Sequence, residues 1–364
     1  MLTLDPGLPT VPPRAADSFD ANARSMAGRV SQLMARHPDL DAFLGGLPFR
    51  LIESNHRNHA AFMSEVLRTN NLDLLVDTLP WAYFAYTNQC VSVDYFAAEL
   101  EIWVQVIGEF LPEEDAEAIL PIYRWMLRVH PETVEAAAHY RSEPALVSAD
   151  HAAVYVEILE RLIAGDHPAV IEHCRSLLHG GMTFSHLLQS IFYPAMVEIG
   201  VRWEQGRLSV ALEHQATAMV YRILSALYYE QPFPSAGRGR ALVASVADEF
   251  HELGAWMVTT CLDLDGWDVT YLPRDCTLEQ VVAAAVERPP AFVALSVGLP
   301  SHVQSARETV SALREALGPA SSTKILVGGR AFVTTPSLVE SVGADLFLAD
   351  CEAAVVWART LEAS

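Results

Sequence analysis

A glutamate, a histidine and a glycine in the C-terminal third of the chain have the types and spacing of a ligand-binding loop. They read Glu249-x-His251-x-x-Gly254. A carboxylate two residues before a histidine can accept a hydrogen bond from one ring nitrogen, which fixes the tautomer and makes the other nitrogen a more basic metal ligand. The glycine lets a ligand approach the backbone closely. A lone histidine of this kind is more often an ordinary surface residue, so the surrounding elements must decide.

The motif directly follows the first of five apolar, β-branched runs. Each run is followed by a helical pattern, and the runs cover residues 241–247, 267–272, 292–298, 324–329 and 344–349. Five strands with crossover helices predict a parallel five-stranded sheet of the Rossmann-like (flavodoxin-like) type. Ligands of such sheets bind beyond the carboxyl ends of the strands. The pattern therefore predicts that the imidazole of His251 faces a ligand crevice.

Two more groups of small residues lie at the predicted carboxyl edge. Ser296-Val297-Gly298 ends the third run, and Gly328-Gly329 ends the fourth. A hydroxyl group and bare backbone can line a narrow slot between strands. Together with His251, these positions predict a groove for a ligand that has a long tail.

These residues resemble the signature of the cobalamin-binding fold, which reads Asp/Glu-x-His-x-x-Gly, then Ser-x-Leu or Ser-x-Thr, then Gly-Gly. The resemblance covers about residues 150–364. It implies that His251 binds the cobalt from below in place of the cofactor's own benzimidazole. The displaced nucleotide tail would then pass Ser296 and Gly328-Gly329. Two positions depart from the signature, because Glu249 stands where the mutases usually have Asp and Gly298 stands where Leu or Thr is typical.

A helical region precedes the predicted sheet and contains a second motif. Residues 151–230 form four helical segments with short connections, which predicts an antiparallel four-helix bundle. Within it, Trp203 is followed after nine residues by Glu213-His214. Taken alone, this is equally a buried tryptophan in one helix and a surface pair in the next. Directly before a cobalamin fold, the spacing resembles that of the light-responsive cobalamin photoreceptors typified by the CarH repressors.

This second resemblance implies a particular form of the cofactor. Trp203, Glu213 and His214 would cover the 5′-deoxyadenosyl group on the upper face, so the cofactor would be adenosylcobalamin. In CarH-type proteins light breaks the cobalt–carbon bond, the bundle shifts, and a histidine after the tryptophan binds the cobalt from above. Glu204 occupies that place here. The resemblance therefore leaves undetermined which group binds the cobalt from above after illumination.

The N-terminal region, residues 17–140, has the pattern of an all-helical domain. His56 and His59 lie three residues apart on one predicted helix beside Arg57, which indicates either a ligand wall or an ordinary polar face. The run Trp81–Tyr86 is rich in aromatic residues, which suit a pocket for a flat ligand and, more often, a packed core. No DNA-binding, kinase or cyclase module is recognisable.

An acidic, aromatic, all-helical head joined to such a cobalamin module resembles the photocobilins. That resemblance implies that residues 17–140 form a globin-like domain that binds biliverdin. The candidate contacts are three arginines for the propionates, four polar aromatic or histidine side chains for the pyrrole nitrogens, and one cysteine whose covalent attachment to the bilin is left open: Arg57, Arg124 and Arg128; His56, His59, Tyr83 and Tyr86; Cys90.

The predicted organisation is therefore a disordered lead over residues 1–16, a bilin-binding head over 17–140, a four-helix cap over 150–232 and a cobalamin-binding domain over 238–364. The net charge of −21 argues against direct binding of nucleic acid. The N-terminus lacks the plan of a signal peptide, and the apolar stretches are too short for a membrane span, so we expect a cytoplasmic protein. We expect no catalytic site. The signal would pass through a light-dependent homo-oligomer or to a separate output partner.

Two other functions stay open. The first is a corrinoid methyl-carrier component of a methyltransferase, which shares the bundle but needs an upper face open to methyl donors. The second is a redox or oxygen sensor whose head binds haem through His56 or His59.

Overall fold

The computed structural model describes residues 2–235, 237–247, 249–334 and 338–361. The chain forms two compact units. The N-terminal unit comprises Met1–Glu143 together with Arg202–Arg207, and the C-terminal unit comprises Pro144–Val201 together with Leu208–Ser364.

The N-terminal unit is helical, as predicted. Its helices are α1 (Pro13–Met34), α2 (Leu40–Leu44), α3 (Phe49–Thr69), α4 (Leu72–Asn88), α5 (Val93–Phe110), α6 (Glu113–Arg128) and α7 (His130–His139). The hydroxyl of Ser92 and the side-chain oxygen of Asn71 accept backbone N–H groups at the starts of α5 and α4, which satisfies donors that a helix leaves unpaired. The core is rich in large rings, and Phe19, Trp103 and Tyr123 are fully buried in it.

The lead that the sequence analysis expects to be disordered is ordered in the structure from residue 2 onward. Val11 is 1 % exposed, and its backbone N–H donates to Asn70 Oδ1 at 2.6 Å. The helix α1 already begins at Pro13, because a proline in the first turn of a helix loses no hydrogen bond. The prolines thus start a helix rather than prevent one.

The C-terminal unit begins with the predicted bundle. Its helices are α8 (Ala152–Ala164), α9 (His167–His179), α10 (Phe184–Leu187), α11 (Tyr193–Glu204, whose last turn belongs to the N-terminal unit) and α12 (Val210–Tyr229). A π-helical segment, Leu188–Phe192, joins α10 to α11. Pro194 follows it and has no N–H group to donate to the preceding turn, so a wider turn accommodates the proline ring.

The predicted parallel five-stranded sheet is confirmed. Its strands are β1 (Arg240–Ser245), β2 (Asp268–Leu272), β3 (Phe292–Ser296), β4 (Lys324–Gly328) and β5 (Leu346–Leu348), in the order β2-β1-β3-β4-β5. This is the strand order of flavodoxin-like sheets. The helices between them are α13 (Leu253–Leu264), α14 (Leu278–Glu287), α15 (Val303–Leu317), α16 (Arg330–Thr334) and α17 (Leu338–Val342), and α18 (Cys351–Ala358) follows β5.

The strand register places three small residues in one row at the carboxyl edge of the sheet. Ser245 pairs with Ser296, and Ser296 pairs with Gly328. The helices α13 and α18 contribute Met257, Cys261 and Cys351 to the same core as the bundle helices, so the bundle packs against two helices of the sheet domain. Within the described ranges, no helix has both the length and the apolar character needed to cross a membrane.

Candidate functional site

The loop between β1 and α13 fixes the orientation of His251. Its ring nitrogen Nδ1 and its backbone N–H both donate to Glu249 Oε1, each at 2.8 Å. The side chain of His251 is nevertheless 62 % exposed. Because Glu249 holds Nδ1, the other ring nitrogen, Nε2, is the one suited to bind a metal.

Glu249 is fully buried and remains ionised because several donors surround it. Its Oε2 accepts the backbone N–H of Gly298 at 2.6 Å and of Leu299 at 3.2 Å, and also Nδ1 of His302 at 2.9 Å. Burial alone would raise the pKa of Glu249, but the hydrogen bonds from His251 and His302 outweigh it and hold the pKa well below the usual range. The hydrogen bond to Glu249 in turn raises the pKa of His251, which makes its imidazole more basic.

Gly298 departs from the family signature, and the structure gives the physical reason. A Cβ atom at this position would lie 2.7 Å from Cβ of His251 and 3.0 Å from Oε1 of Glu249. A leucine or threonine would therefore displace the loop that carries the histidine. The absence of a side chain at position 298 therefore allows His251 and Glu249 to lie against the end of β3.

The other predicted rim residues also lie at the carboxyl edge. Gly329 has φ +104, and a Cβ there would overlap the carbonyl oxygen of Val297. A Cβ on Gly328 would meet the carbonyl oxygen of Leu348 at 2.8 Å. A Cβ on Gly254 would lie 3.8 Å from Oγ of Ser296, which is ordinary contact. The structure thus brings the four positions to one rim, and backbone packing requires a glycine at 328 and 329 but not at 254.

Sequence reasoning missed two polar residues of this region. His302, 8 % exposed, ends a single 3-10 turn, and its signal was a histidine six residues after Ser296 on the same rim. Ser245, which is 0 % exposed, ends β1 in register with Ser296. The signal for Ser245 was a hydroxyl group as the last residue of an otherwise apolar strand.

The Glu213-His214 pair lies in the first turn of α12. Oε2 of Glu213 contacts Nδ1 of His214, and Thr217 Oγ1 donates to Oε1 of Glu213 at 2.9 Å. The charge of Glu213 also contributes to raising the pKa of His251, so the two groups are within electrostatic range. The side chain of His214 is 75 % exposed, which leaves it accessible to a ligand.

Trp203 and Glu204 belong to the N-terminal unit, and both form hydrogen bonds with other residues of that unit. The carbonyl oxygen of Trp203 accepts from Nε2 of Gln89 at 2.5 Å. Glu204 is 7 % exposed, and its Oε2 accepts from Oγ of Ser142 at 2.5 Å.

The two head histidines that sequence analysis selected, His56 and His59, are packed among side chains of the helical core. His56 is fully buried, with Nδ1 2.8 Å from Oγ of Ser31 and Nε2 2.7 Å from the hydroxyl of Tyr95. Nε2 of His59 lies 3.2 Å from the hydroxyl of Tyr123. Burial lowers the pKa of His56 to about 4 and that of His59 to about 3. Haem ligation by His56 would therefore have to break the hydrogen bonds of both its ring nitrogens.

The two tyrosines that sequence analysis selected are on α4. Tyr83 is 2 % exposed, stacks on Phe96 with ring centres 3.9 Å apart, and places its hydroxyl 2.8 Å from Nδ1 of His130. Tyr86 packs edge-on against the same Phe96. Burial raises the pKa of both tyrosines, so their hydroxyls stay protonated.

The three arginines and the cysteine proposed for the bilin lie on the surface. Arg57 and Arg124 are exposed, and Arg128 pairs with Asp5 at 3.0 Å. Cys90 is exposed and has φ +72. The structure thus places these candidates outside the buried cluster that contains His56 and Tyr83.

Comparison with known families agrees with this geometry. Residues 239–356 match the family model "B12 binding domain", and residues 154–228 match a second model with the same description. The sheet and its loop fall in the first match, and the bundle falls in the second. The chain is therefore a B12-binding protein.

Its relatives fall into two groups. The chain is 27 % identical to the HTH-type transcriptional repressor CarH of Myxococcus xanthus over 270 residues, which cover 74 % of this chain and 84 % of that protein. It is 24 % identical to a dimethylamine corrinoid protein of Methanosarcina barkeri over 195 residues, 53 % of this chain and 88 % of the relative. The structure of a Methanosarcina barkeri monomethylamine corrinoid protein aligns over 58 % of this chain and 100 % of its own, with a TM-score of 0.51 and 18 % identity. That likeness shows a shared fold.

Proposed function

We propose that this protein is a light sensor that binds adenosylcobalamin with His251 as the lower ligand of the cobalt. One observation carries the proposal: an exposed imidazole is held by a buried, ionised glutamate at the carboxyl edge of a parallel sheet. This arrangement fits a single protein ligand to a metal that the corrin ring already holds. The glycines at 298, 328 and 329 have no side chains that would obstruct the nucleotide tail at this edge of the sheet.

The adenosyl form of the cofactor is inferred from the spacing of Trp203 and Glu213-His214. Thr217 orients the carboxylate of Glu213, which suits it to accept hydrogen bonds from ribose hydroxyls. The indole of Trp203 would stack on the nucleoside. When bound, the cofactor supplies a cobalt–carbon bond that light breaks. Trp203 and the bundle would be free to move once the adenosyl group is gone, and this movement would change the contacts between copies of the chain or with a separate partner.

The test is the absorption spectrum of the full chain loaded with adenosylcobalamin in the dark and then illuminated. We expect a change to the spectrum of the photolysed cofactor and a change of elution volume on gel filtration. His251→Ala should abolish the histidine-ligated spectrum, whereas the exposed His139→Ala, on α7, serves as the control. An unchanged spectrum of His251→Ala would show that another group binds the cobalt.

We extend the proposal to the head as a globin-like domain that binds biliverdin. The aromatic and histidine cluster around Tyr83, Tyr86, His56 and His59 has the polarity that a tetrapyrrole requires, and Arg57, Arg124 and Arg128 would have to reach the propionates from the surface. Titration of the full chain with biliverdin should produce a red-absorbing band. Retention of the band after denaturation, and its loss in Cys90→Ser, would indicate a covalent link. A Soret band with haem and no bilin uptake would contradict this part.

A second candidate function, a corrinoid methyl carrier, is favoured by the similarity to the dimethylamine corrinoid protein. The two functions predict different responses to light and different preferences for the group bound on the upper face of the cofactor. A carrier should exchange a methyl group between methylcobalamin and a thiol acceptor when a methyltransferase is supplied, and should respond little to light. A sensor should bind adenosylcobalamin more tightly than methylcobalamin.

A further inference from the structure

The turn that carries Trp203 is attached to the end of α4 through its backbone. This turn, Trp203–Gly206, connects α11 to α12 and is called here the tryptophan turn. Nε2 of Gln89 donates to the carbonyl oxygen of Trp203 at 2.5 Å, and Nδ2 of Asn88 donates to that of Glu204 at 3.0 Å. Two neighbouring side chains at one helix end therefore hold two neighbouring carbonyl groups.

Two further contacts secure the same turn. Oγ of Ser142 donates to the buried carboxylate of Glu204 at 2.5 Å. Gly206 has φ +67, and a Cβ there would overlap the carbonyl oxygen of Asn88, so the turn approaches α4 as closely as only glycine permits. The backbone N–H of Gly206 donates to the carbonyl oxygen of Trp203 at 2.9 Å, which closes the turn.

The helix end that holds the turn is itself fixed by the core of the head. Tyr83 lies five residues before Asn88 on the same continuous helix, about 7.5 Å along its axis. It is buried against Phe96 and hydrogen-bonded to His130. A change in the packing around α4 would therefore move Asn88 and Gln89, and with them the tryptophan turn.

We propose that Gln89, Asn88 and Ser142 are positioning residues for Trp203, and that they make its hold on the upper face of the cofactor depend on the state of the head. Glu204, which stands where the resembling photoreceptors have a cobalt-binding histidine, serves as the anchor of this turn and not as a ligand. The role of Trp203 in this inference rests on the proposed function, whereas the attachment of the turn to α4 rests only on the hydrogen bonds described above.

The attachment is tested first, by hydrogen exchange on the full chain without cofactor. Gln89→Ala removes one of the two hydrogen bonds that attach the turn to the end of α4, so the Gly206 amide, whose hydrogen bond closes the turn, should exchange about three- to tenfold faster, the equivalent of one hydrogen bond. Gln105→Ala, which removes a glutamine elsewhere in the head that donates to Glu109, is the matched control. Unchanged exchange at Gly206 in Gln89→Ala would overturn the attachment.

The coupling is tested second, by the rate of adenosyl loss under constant light. Gln89→Ala and Ser142→Ala should lose the adenosyl group about threefold faster, because one lost hydrogen bond loosens the turn by this order. Ser142→Thr, which keeps the hydroxyl donor, should restore the wild-type rate, and the spectrum that reports His251 ligation should stay unchanged in all of them. Equal rates in variants whose Gly206 exchange is faster would overturn the coupling. A wild-type chain that binds no adenosylcobalamin would instead overturn the proposed function, and the coupling with it, while the exchange result would still decide the attachment.

Discussion

Each unit places a histidine beside a buried glutamate, but the pKa shifts of the two pairs have opposite directions. In the N-terminal unit, burial raises the pKa of Glu99 to about 7 and lowers that of His56 to about 4. Between those values both groups are neutral. In the C-terminal unit, the pKa of Glu249 is held well below its usual range and that of His251 is raised. The same two residue types thus form a neutral pair in one place and a pair with an ionised glutamate in the other.

The number of donors around the carboxylate accounts for the difference. Among the described residues, Glu99 accepts from Nε1 of Trp103 at 3.2 Å, while Nε2 of His56 stays 3.9 Å away. Glu249 accepts three backbone N–H groups and two imidazole N–H groups. A buried carboxylate stays ionised only where donors replace the water it has lost. Four predictions test this comparison.

The largest effect is expected for Glu249→Gln. The amide keeps the size of the side chain but loses the charge, and its own N–H groups then face backbone donors. We expect cobalamin affinity to fall about 10- to 100-fold, as for other residues that orient a metal ligand, and the free energy of unfolding to fall by about 2–3 kcal/mol. Titration with hydroxocobalamin and denaturant unfolding measure the two. Glu308→Gln, an exposed change on α15, should alter neither.

The opposite sign is expected for Glu99→Gln. The folded-state pKa of Glu99, about 7, lies above its ordinary value of 4.5. Its neutral form is therefore accommodated at low pH, and wild-type stability decreases as the pH rises from about 4.5 to about 7. Glu99→Gln removes this loss, so the variant should be more stable than wild type by about 2 kcal/mol near pH 8.

Denaturant unfolding across this pH range checks the sign, with Glu101→Gln, exposed on the same helix, as the control. A wild-type stability that does not fall relative to Glu99→Gln would mean that Glu99 is ionised in the folded state. The comparison with Glu249 would then fail.

A smaller effect is expected for Gly298→Ala. The new methyl group would press on His251 and Glu249, at a cost of about 1–2 kcal/mol, which is typical of overpacking. Cobalamin affinity should fall about tenfold as the imidazole is displaced. Gly254→Ala is the matched control for stability, since its methyl group meets only ordinary contacts. Equal stability of the two variants would contradict the steric account of the missing leucine or threonine.

The smallest effect is expected for His302→Leu, which removes one of the five donors to Glu249. The loss of one hydrogen bond should cost about 1 kcal/mol of unfolding free energy and weaken cobalamin binding about threefold. His302→Asn, which keeps a side-chain N–H donor, should recover part of both. A loss as large as that of Glu249→Gln would mean that the donors act together and not singly.

The sheet was predictable because each strand is a short apolar run that ends in a serine or glycine, as in Ala241–Ser245 and Phe292–Ser296. Such a run indicates both the position of the strand and the position of its carboxyl end. Because the carboxyl ends of parallel strands meet at one edge, the sequence alone predicts that His251, Ser296 and Gly328 lie close together. The rule could not place His302, because its contact with Glu249 spans 53 positions of the chain and depends on how a short 3-10 turn folds back.

The head was less predictable, because helical periodicity gives the buried face but not the neighbours across it. His56 and His59 were expected on one helix face and are there, yet their partners come from α1, α5 and α6 through Ser31, Tyr95 and Tyr123. Likewise, nothing local in the sequence indicates that Glu204 faces Ser142. The sequence shows that Glu204 replaces the histidine found in the resembling photoreceptors. Only the structure shows that its carboxylate accepts a hydrogen bond from Ser142.

The π-helical segment Leu188–Phe192 holds about one residue more per turn than an α-helix does. Deleting one residue within this segment should convert the wide turn to an α-helical turn and leave the following residues on their present faces. Deleting one residue between Tyr193 and Ile199 would instead rotate all that follows by about 100°, and Ile199, which is fully buried, would leave the core. The segment is therefore the place in this part of the bundle where the chain can lose one residue at the lowest cost.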